Sequence, residues 1–194
     1  MDLDALSEHE NAARILAEGW LLFQQKGYRG VTMDEVCRRC GLTKPTLYYY
    51  FQDKETLFLR VLQHKLGGFH ASIQLPGSLA ERLQRFAAGI LDSFLSGYSS
   101  LERDYTFIQK PEYLQAIRAT FHSELFGPLT ALMQAGLESG ELAGADATLL
   151  ARIFLGMINN FIGRVAESGG SSAALAATLT AYFLDGARRR PSGG

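Results

Sequence analysis

Between residues 32 and 53 the chain is punctuated so closely that only two very short helices fit. Thr32-Met33-Asp34-Glu35 has the form of a capping box, in which the Thr hydroxyl accepts from the amide three residues on and Glu35 reaches back. Gly41 offers a left-handed C-terminal position, so the helix opened by Thr32 ends at Cys40. Thr43 caps the next helix, with Pro45 in its first turn, where amides lack partners anyway, and this helix ends near Phe51. Asp53 caps a fourth, whose buried stripe is Leu57, Phe58, Val61 and Leu62. Helices of about eight residues do not persist alone, because nucleation is costly. The short pair must therefore lean on longer neighbours. Upstream, Ala12, Ile15, Leu16, Gly19, Leu22 and Phe23 fall three and four apart, a helical stripe that Gly27 and Gly30 interrupt. Val36, Cys37, Cys40, Leu47 and Phe51 have the spacing of a shared core. The reading is a compact three-helix unit carried by a fourth helix.

Apolar spacing stays helical over most of the remainder, with stretches at about 78–97, 100–109, 111–139, 146–167 and 172–189, and a kink expected at Gly127-Pro128. Ala71-Ser-Ile-Gln-Leu75 alternates like a strand but stops at Pro76-Gly77 with no second strand to pair with, and is read as linker. The expected fold is all-α in two parts, residues 1–70 and a larger helical domain at 71–190. At 47% hydrophobic and 20% charged residues the composition excludes a disordered or collagen-like chain. Its apolar runs are far short of the roughly 20 residues that span a bilayer, and the acidic N-terminus lacks the basic and apolar regions of a secretory leader. With two cysteines and no disulfide framework, the expectation is a soluble cytoplasmic protein without a membrane partner.

Net charge is −1, which taken globally argues against a polyanionic partner. The distribution is uneven, however. Residues 22–65 carry eight basic side chains (Lys26, Arg29, Arg38, Arg39, Lys44, Lys54, Arg60, Lys65) against four acidic ones, a local net of +4 inside a near-neutral chain. That is a modest electrostatic footprint for phosphate.

A helix at 32–40, a turn at Gly41-Leu42 and a helix at 43–51 make a helix-turn-helix at the spacing used by DNA readers, whose second helix lies in the major groove with its first turn toward base edges. Thr43, Lys44, Pro45 and Thr46 occupy that turn. Lys44 suits guanine or phosphate, Thr43 and Thr46 suit phosphate, and Pro45 suits a thymine methyl. Tyr48, Tyr49 and Tyr50 follow, and three consecutive tyrosines at 100° per residue cannot all be core; at least one phenol must be exposed, and Tyr50 is read as facing inward. Lys54 stands in the first turn of the next helix, where a cation opposes the helix dipole unless something anionic lies close.

The segment from Gly30 to Leu57, with Thr32, the Cys40-Gly41-Leu42-Thr43 turn, Thr46-Leu47-Tyr48, Tyr50-Phe51 and Lys54-Glu55, closely resembles the signature of the TetR family of transcriptional regulators. The likeness covers about residues 9–65. Cys37 and Cys40 stand where small alanines are usual, and Pro45 where glycine is common. The resemblance implies a homodimeric, ligand-releasable DNA-binding protein, usually a repressor; with no nucleophile elbow, phosphate-binding glycine loop or paired catalytic carboxylate spacing in the sequence, neither an enzyme nor a cofactor is expected. Its DNA contacts fall here on Thr32, Thr43, Lys44, Pro45, Thr46, Tyr48, Tyr49 and Lys54. The alternative is a helical small-molecule sensor or carrier that has lost DNA binding.

Cys37-Arg-Arg-Cys40 has the spacing of a redox or half-zinc motif, but it closes a short helix instead of following a strand, and His9, His64, His70 and His122 are neither paired nor at ligand spacing. Small packing residues are the better account, and no metal site is expected. Arg188-Arg-Arg190 complements the dipole of the last helix.

In 146–167 the apolar stripe is wide enough to need covering on two sides, and 173–184 behaves alike. A two-fold interface through these last two helices is the economical solution, with Phe154, Ile158, Phe161, Ile162, Leu179, Tyr182 and Phe183 as the expected contacts. Aromatics upstream suggest an apolar cavity for an apolar or amphipathic effector, with Phe86, Phe94, Tyr98, Tyr113, Phe121, His122 and Asn160 as candidate lining.

Overall fold

The computed structural model describes residues 3–93, 108, 110–144, 146–165 and 170–187. Every regular element among them is helical: α1 (Leu3–Gly30), α2 (Met33–Cys40), α3 (Lys44–Tyr50), α4 (Lys54–Gln74), α5 (Leu79–Ser93), α6 (Pro111–Phe121), a π-helical turn (His122–Phe126), α7 (Gly127–Glu138), α8 (Ala147–Phe161) and α9 (Ser172–Ala187). Two compact units result, Met1–Lys65 with Ser99–Thr120, and Leu66–Tyr98 with Phe121–Gly194. The stretch expected as a helix at 100–109 lies outside the described residues except at 108, as do Arg188-Arg-Arg190.

In the first unit the punctuation falls at the expected positions. Gly27 has φ 69°, a break in the helical path of α1. Thr32 is the N-cap of α2, its hydroxyl accepting from the Glu35 amide at 3.2 Å. The Glu35 carboxylate pairs with Lys26 of α1. Gly41 closes α2 with φ 64°, a left-handed conformation that other residues reach only at a cost, and the Gly41 and Leu42 amides donate to the Arg38 and Cys37 carbonyls.

The core beneath is the one the spacing indicated. Val36, Cys37, Cys40, Leu47, Phe51, Leu57, Phe58, Val61 and Leu62 are all buried. Phe23, Tyr28 and Phe58 form an aromatic cluster, with edge-to-face contacts of 4.8 Å between Phe23 and Phe58 and 5.3 Å between Tyr28 and Phe58. Cys37 and Cys40 are free buried thiols, and burial pushes both up from their ordinary pKa. They pack as small apolar groups.

In the second unit one expectation is overturned. Residues 71–74 are the last turn of α4, not a linker. Ile73 is fully buried, so the apparent alternation was one turn of an amphipathic helix sampled too briefly to show its period. Two arginines of α5 supply what that helix end lacks: Arg82 donates to the Ile73 carbonyl at 2.7 Å, and Arg85 to those of Leu75 and Pro76 at 2.9 and 3.0 Å.

The irregularity expected at Gly127-Pro128 takes the form of the π-turn His122–Phe126 just before it. Pro128 has no amide to give, and the Gly127 amide donates to the His122 carbonyl five residues back. A Cβ at 127 would lie 2.8 Å from that carbonyl oxygen, so the wider turn needs glycine there. His70 of α4 and Glu124 of the π-turn meet at 3.0 Å. Asp146 caps α8, accepting from the Thr148 amide at 2.9 Å.

Candidate nucleic-acid interface

Helix α3 is seven residues long and has one fully buried side chain, Leu47. That single anchor, with Phe51 at the C-cap, seats the helix on the core and leaves the rest of its surface outward. Thr43, Lys44, Pro45, Tyr48 and Tyr49 are exposed; Tyr48 retains 46% and Tyr49 72% of its accessible area. Thr46 and Tyr50 are partly covered, Tyr50 edge-on to Tyr49 at 5.3 Å. A row of three tyrosines thus divides as the helical period requires.

The first turn is ordered before any ligand arrives. Thr43 Oγ1 lies 2.8 Å from Thr46 Oγ1 and accepts from the Thr46 amide, which fixes the start of α3. The Lys44 ammonium is 2.8 Å from Asp34 Oδ1, across from the first turn of α2, and both side chains are more than half exposed. Its hydrogen bond and charge hold the Lys44 pKa above its ordinary value. Nothing in the linear order of residues links Asp34 to Lys44. Their contact is a product of the turn, which brings the starts of α2 and α3 together.

Lys54 is placed otherwise than its position in a first turn suggested. Its ammonium donates to the carbonyls of Tyr28 and Val31 at 3.0 and 3.1 Å and lies 4.3 Å from the Tyr28 ring centroid. Burial lowers its pKa. Two of three donors therefore tie α4 to the α1–α2 turn, and the anionic partner expected from the helix dipole is replaced by two carbonyl oxygens and a ring face.

Asp53, beside it, accepts from the Thr56 amide at 2.7 Å and from the Lys110 ammonium at 3.0 Å. Burial works to raise this carboxyl, but the Thr56 hydroxyl and amide and the Lys110 charge outweigh it and hold the pKa low. Along the flank of α2 runs a cleft of about 350 Å³ lined by Leu22, Gln25, Lys26, Glu35, Arg38 and Arg39, where Arg39 pairs with Glu18 at 2.6 Å.

The residues expected to line an effector cavity differ in burial and in the unit they belong to. Phe86 is fully buried core of the second unit, edge-on to Phe69 at 6.4 Å. Phe121 is buried, while His122 and Asn160 are exposed. Tyr113 belongs to the first unit, its hydroxyl 2.9 Å from Thr56 Oγ1. Phe94 and Tyr98 lie outside the described residues.

Of the expected dimer contacts, Phe154, Ile158, Ile162, Leu179 and Phe183 are buried within the protomer, with Phe154 and Phe183 rings 4.9 Å apart. Phe161 and Tyr182 are exposed. A second apolar row on α8, Leu149 at 55% and Ile153 at 46% exposure, stays uncovered. The inward and outward rows of these helices are both apolar, and periodicity alone does not tell which of them meets the protomer's own core. The five buried residues do, and Leu149, Ile153, Phe161 and Tyr182 stay exposed.

Residues 15–61 match the family model described as bacterial regulatory proteins, tetR family. The activator FasR of Mycolicibacterium smegmatis is 27% identical over 110 residues, 56% of this chain and 50% of that protein. The biofilm-operon negative regulator IcaR of Staphylococcus epidermidis is 24% identical over 121 residues, 58% of this chain and 65% of that protein. The chain thus spans between half and two thirds of the length of these curated relatives. The solved structure of the regulator FadR from Bacillus subtilis in complex with stearoyl-CoA superposes with a TM-score of 0.68 at 19% identity, covering 90% of this chain and 98% of that one. The capped, glycine-turned helix pair of residues 32–51 thus lies inside a segment, residues 15–61, that carries the pattern of the tetR family of bacterial regulatory proteins.

Proposed function

We propose that this chain is a homodimeric, ligand-responsive repressor that reads a near-palindromic operator, each protomer inserting α3 into the major groove of one half-site. The observation that carries the reading is the exposed face Thr43–Lys44–Pro45–Tyr48–Tyr49, presented by a helix whose one deep anchor is Leu47. A helix kept this short and this exposed contributes little to the core, and its surface combines cation, hydroxyl, methylene and phenol groups, the chemistry that base edges and phosphates recognise. Thr32, Thr46 and Lys54 complete the contact set, Lys54 through its remaining donor.

DNA binding is assigned to residues 1–70, and effector binding and dimerisation to 71–190. The outward row Leu149, Ile153 and Phe161 on α8, with Tyr182 on α9, supports a two-fold contact between protomers. Two recognition helices held together in this way would face half-sites about 34–36 Å apart. For the effector, the apolar helices of 71–190 favour an apolar or amphipathic molecule, the class to which the stearoyl-CoA of the B. subtilis structure belongs. Such a ligand releases DNA only if it binds the DNA-competent and released states with different affinity. The place of action is the cytoplasm.

Selection of the purified protein against random DNA duplexes tests the reading: an inverted repeat is the expected product. No enrichment would favour a sensor or carrier without DNA binding. On the selected repeat, Lys44→Ala and Tyr48→Ala should each weaken binding about tenfold or more.

A further inference from the structure

The contact between Lys44 and Asp34 is the least expected feature of the proposed DNA-binding face. An acidic side chain in a segment of net +4 charge, at the start of α2 and bonded to the first residue of the recognition helix, works against attraction to phosphate. Stability gives no reason for it, because exposed ion pairs contribute little to folding and are screened by salt. Acidic residues near a helix N-terminus are favoured by the dipole, but Glu35 in the same turn already provides one.

We propose that Asp34 is a specificity-determining residue of this DNA-binding face, one that restrains Lys44 against indiscriminate phosphate contact; the inference rests on the reading that α3 binds DNA. With the ammonium charge offset by Asp34 Oδ1 at 2.8 Å, Lys44 neutralises a phosphate fully only by giving up that pairing. The carboxylate left behind then faces the polyanion unpaired. Both effects weaken binding to any duplex, whatever its sequence. A cognate half-site can offset them by giving Lys44 a guanine acceptor, or by giving Asp34 a cytosine amino donor, in the major groove. The penalty is thus general, and its relief depends on sequence. Discrimination is the ratio of the two affinities, so a residue that lowers the non-specific one sharpens selection even when it adds nothing to the specific one.

The test is fluorescence anisotropy with the full chain, using the inverted repeat enriched by selection and a scrambled duplex of equal length. Asp34→Asn should tighten binding to the scrambled duplex about two- to fivefold at about 0.1 M salt, the range expected for loss of one exposed ion pair. The log–log salt slope should steepen by about 0.9, the increment for neutralising one more phosphate. Affinity for the repeat should change less, so the ratio falls. In a Lys44→Ala background the same substitution should lose most of its effect, and Asp34→Glu should retain most of the discrimination.

If Lys44→Ala weakens binding to the repeat while Asp34→Asn leaves both affinities and the slope unchanged, Asp34 has no such role although the DNA-binding reading stands. Equal tightening on both duplexes makes Asp34 a plain repulsive charge and overturns the proposal. If wild-type protein enriches and binds no duplex, both this inference and the reading beneath it fail.

Discussion

The α2–α3 pair and the α8–α9 pair pose opposite problems to a reader of the sequence. In the first, sparse apolar residues leave one solution: Leu47 is buried, Tyr48 and Tyr49 are out, and the caps at Thr32, Gly41 and Thr43 fix where each helix starts and stops. In the second, apolar residues run around most of the circumference, and nothing in their period separates the row facing the protomer core from the row facing outward. Phe154 and Ile153 are neighbours in the chain and alike in chemistry, yet one is fully buried and the other 46% exposed. Local chemistry that allows only one backbone state is legible residue by residue. Burial shared among many equivalent side chains becomes legible only when the neighbours are known.

That contrast is broken most sharply by matched truncations. Phe154→Ala should destabilise the second unit by about 3–5 kcal/mol, the usual cost of removing a fully buried aromatic side chain. Ile153→Ala should shift protomer stability by about 0.5 kcal/mol or less. Urea denaturation followed by circular dichroism checks both, and similar losses at the two positions would show that the outward row is structural too. Ile153→Glu carries the comparison to assembly: sedimentation equilibrium should show the proposed dimer weakened at least about tenfold, because a carboxylate in an apolar interface must shed its hydration. An unchanged association constant would move the two-fold contact away from α8.

A middle case is Lys54, whose position is legible in the sequence and whose environment is not. The residue stands in the first turn of α4, as the cap at Asp53 requires, and a cation there does need acceptors. Spacing along the chain does not reveal that the segment leaving α1 turns two carbonyls, those of Tyr28 and Val31, toward the ammonium. The same limit hid the Arg82 and Arg85 bonds that close α4, and the Asp34–Lys44 contact. Each joins residues well separated in the chain through a turn whose path the spacing does not encode. Lys54→Met keeps an unbranched side chain of similar length and removes the ammonium with its donors; it should cost about 1–3 kcal/mol, because partly buried carbonyls lose their partner. A variant as stable as the native chain would return Lys54 to a purely DNA-facing role.

A smaller effect than that of Lys54 belongs to Asp53, and it separates a cap from a charge. Asp53→Ala removes both the Thr56 amide bond and the Lys110 pair, and should cost about 0.5–2 kcal/mol. Asp53→Asn keeps a competent capping oxygen and loses the charge alone, so it should cost less. The pH dependence has a definite sign. The folded-state pKa lies below the ordinary value of 3.8, so the unfolded chain takes up the proton first as pH falls. Above that ordinary value both states are ionised and the stabilisation is fully present; below it the contribution shrinks, and it is gone once the folded carboxyl is also protonated. Urea midpoints of native protein and Asp53→Asn should therefore differ by a constant amount from pH 7 to about 5 and converge below about 4. Lys110 stays protonated throughout, its pKa raised by the hydrogen bond to Asp53, so the convergence reports on the carboxylate alone. A difference that persists unchanged in acid would mean that Asn fails as a cap here, and that geometry at the start of α4, not charge, sets what Asp53 contributes.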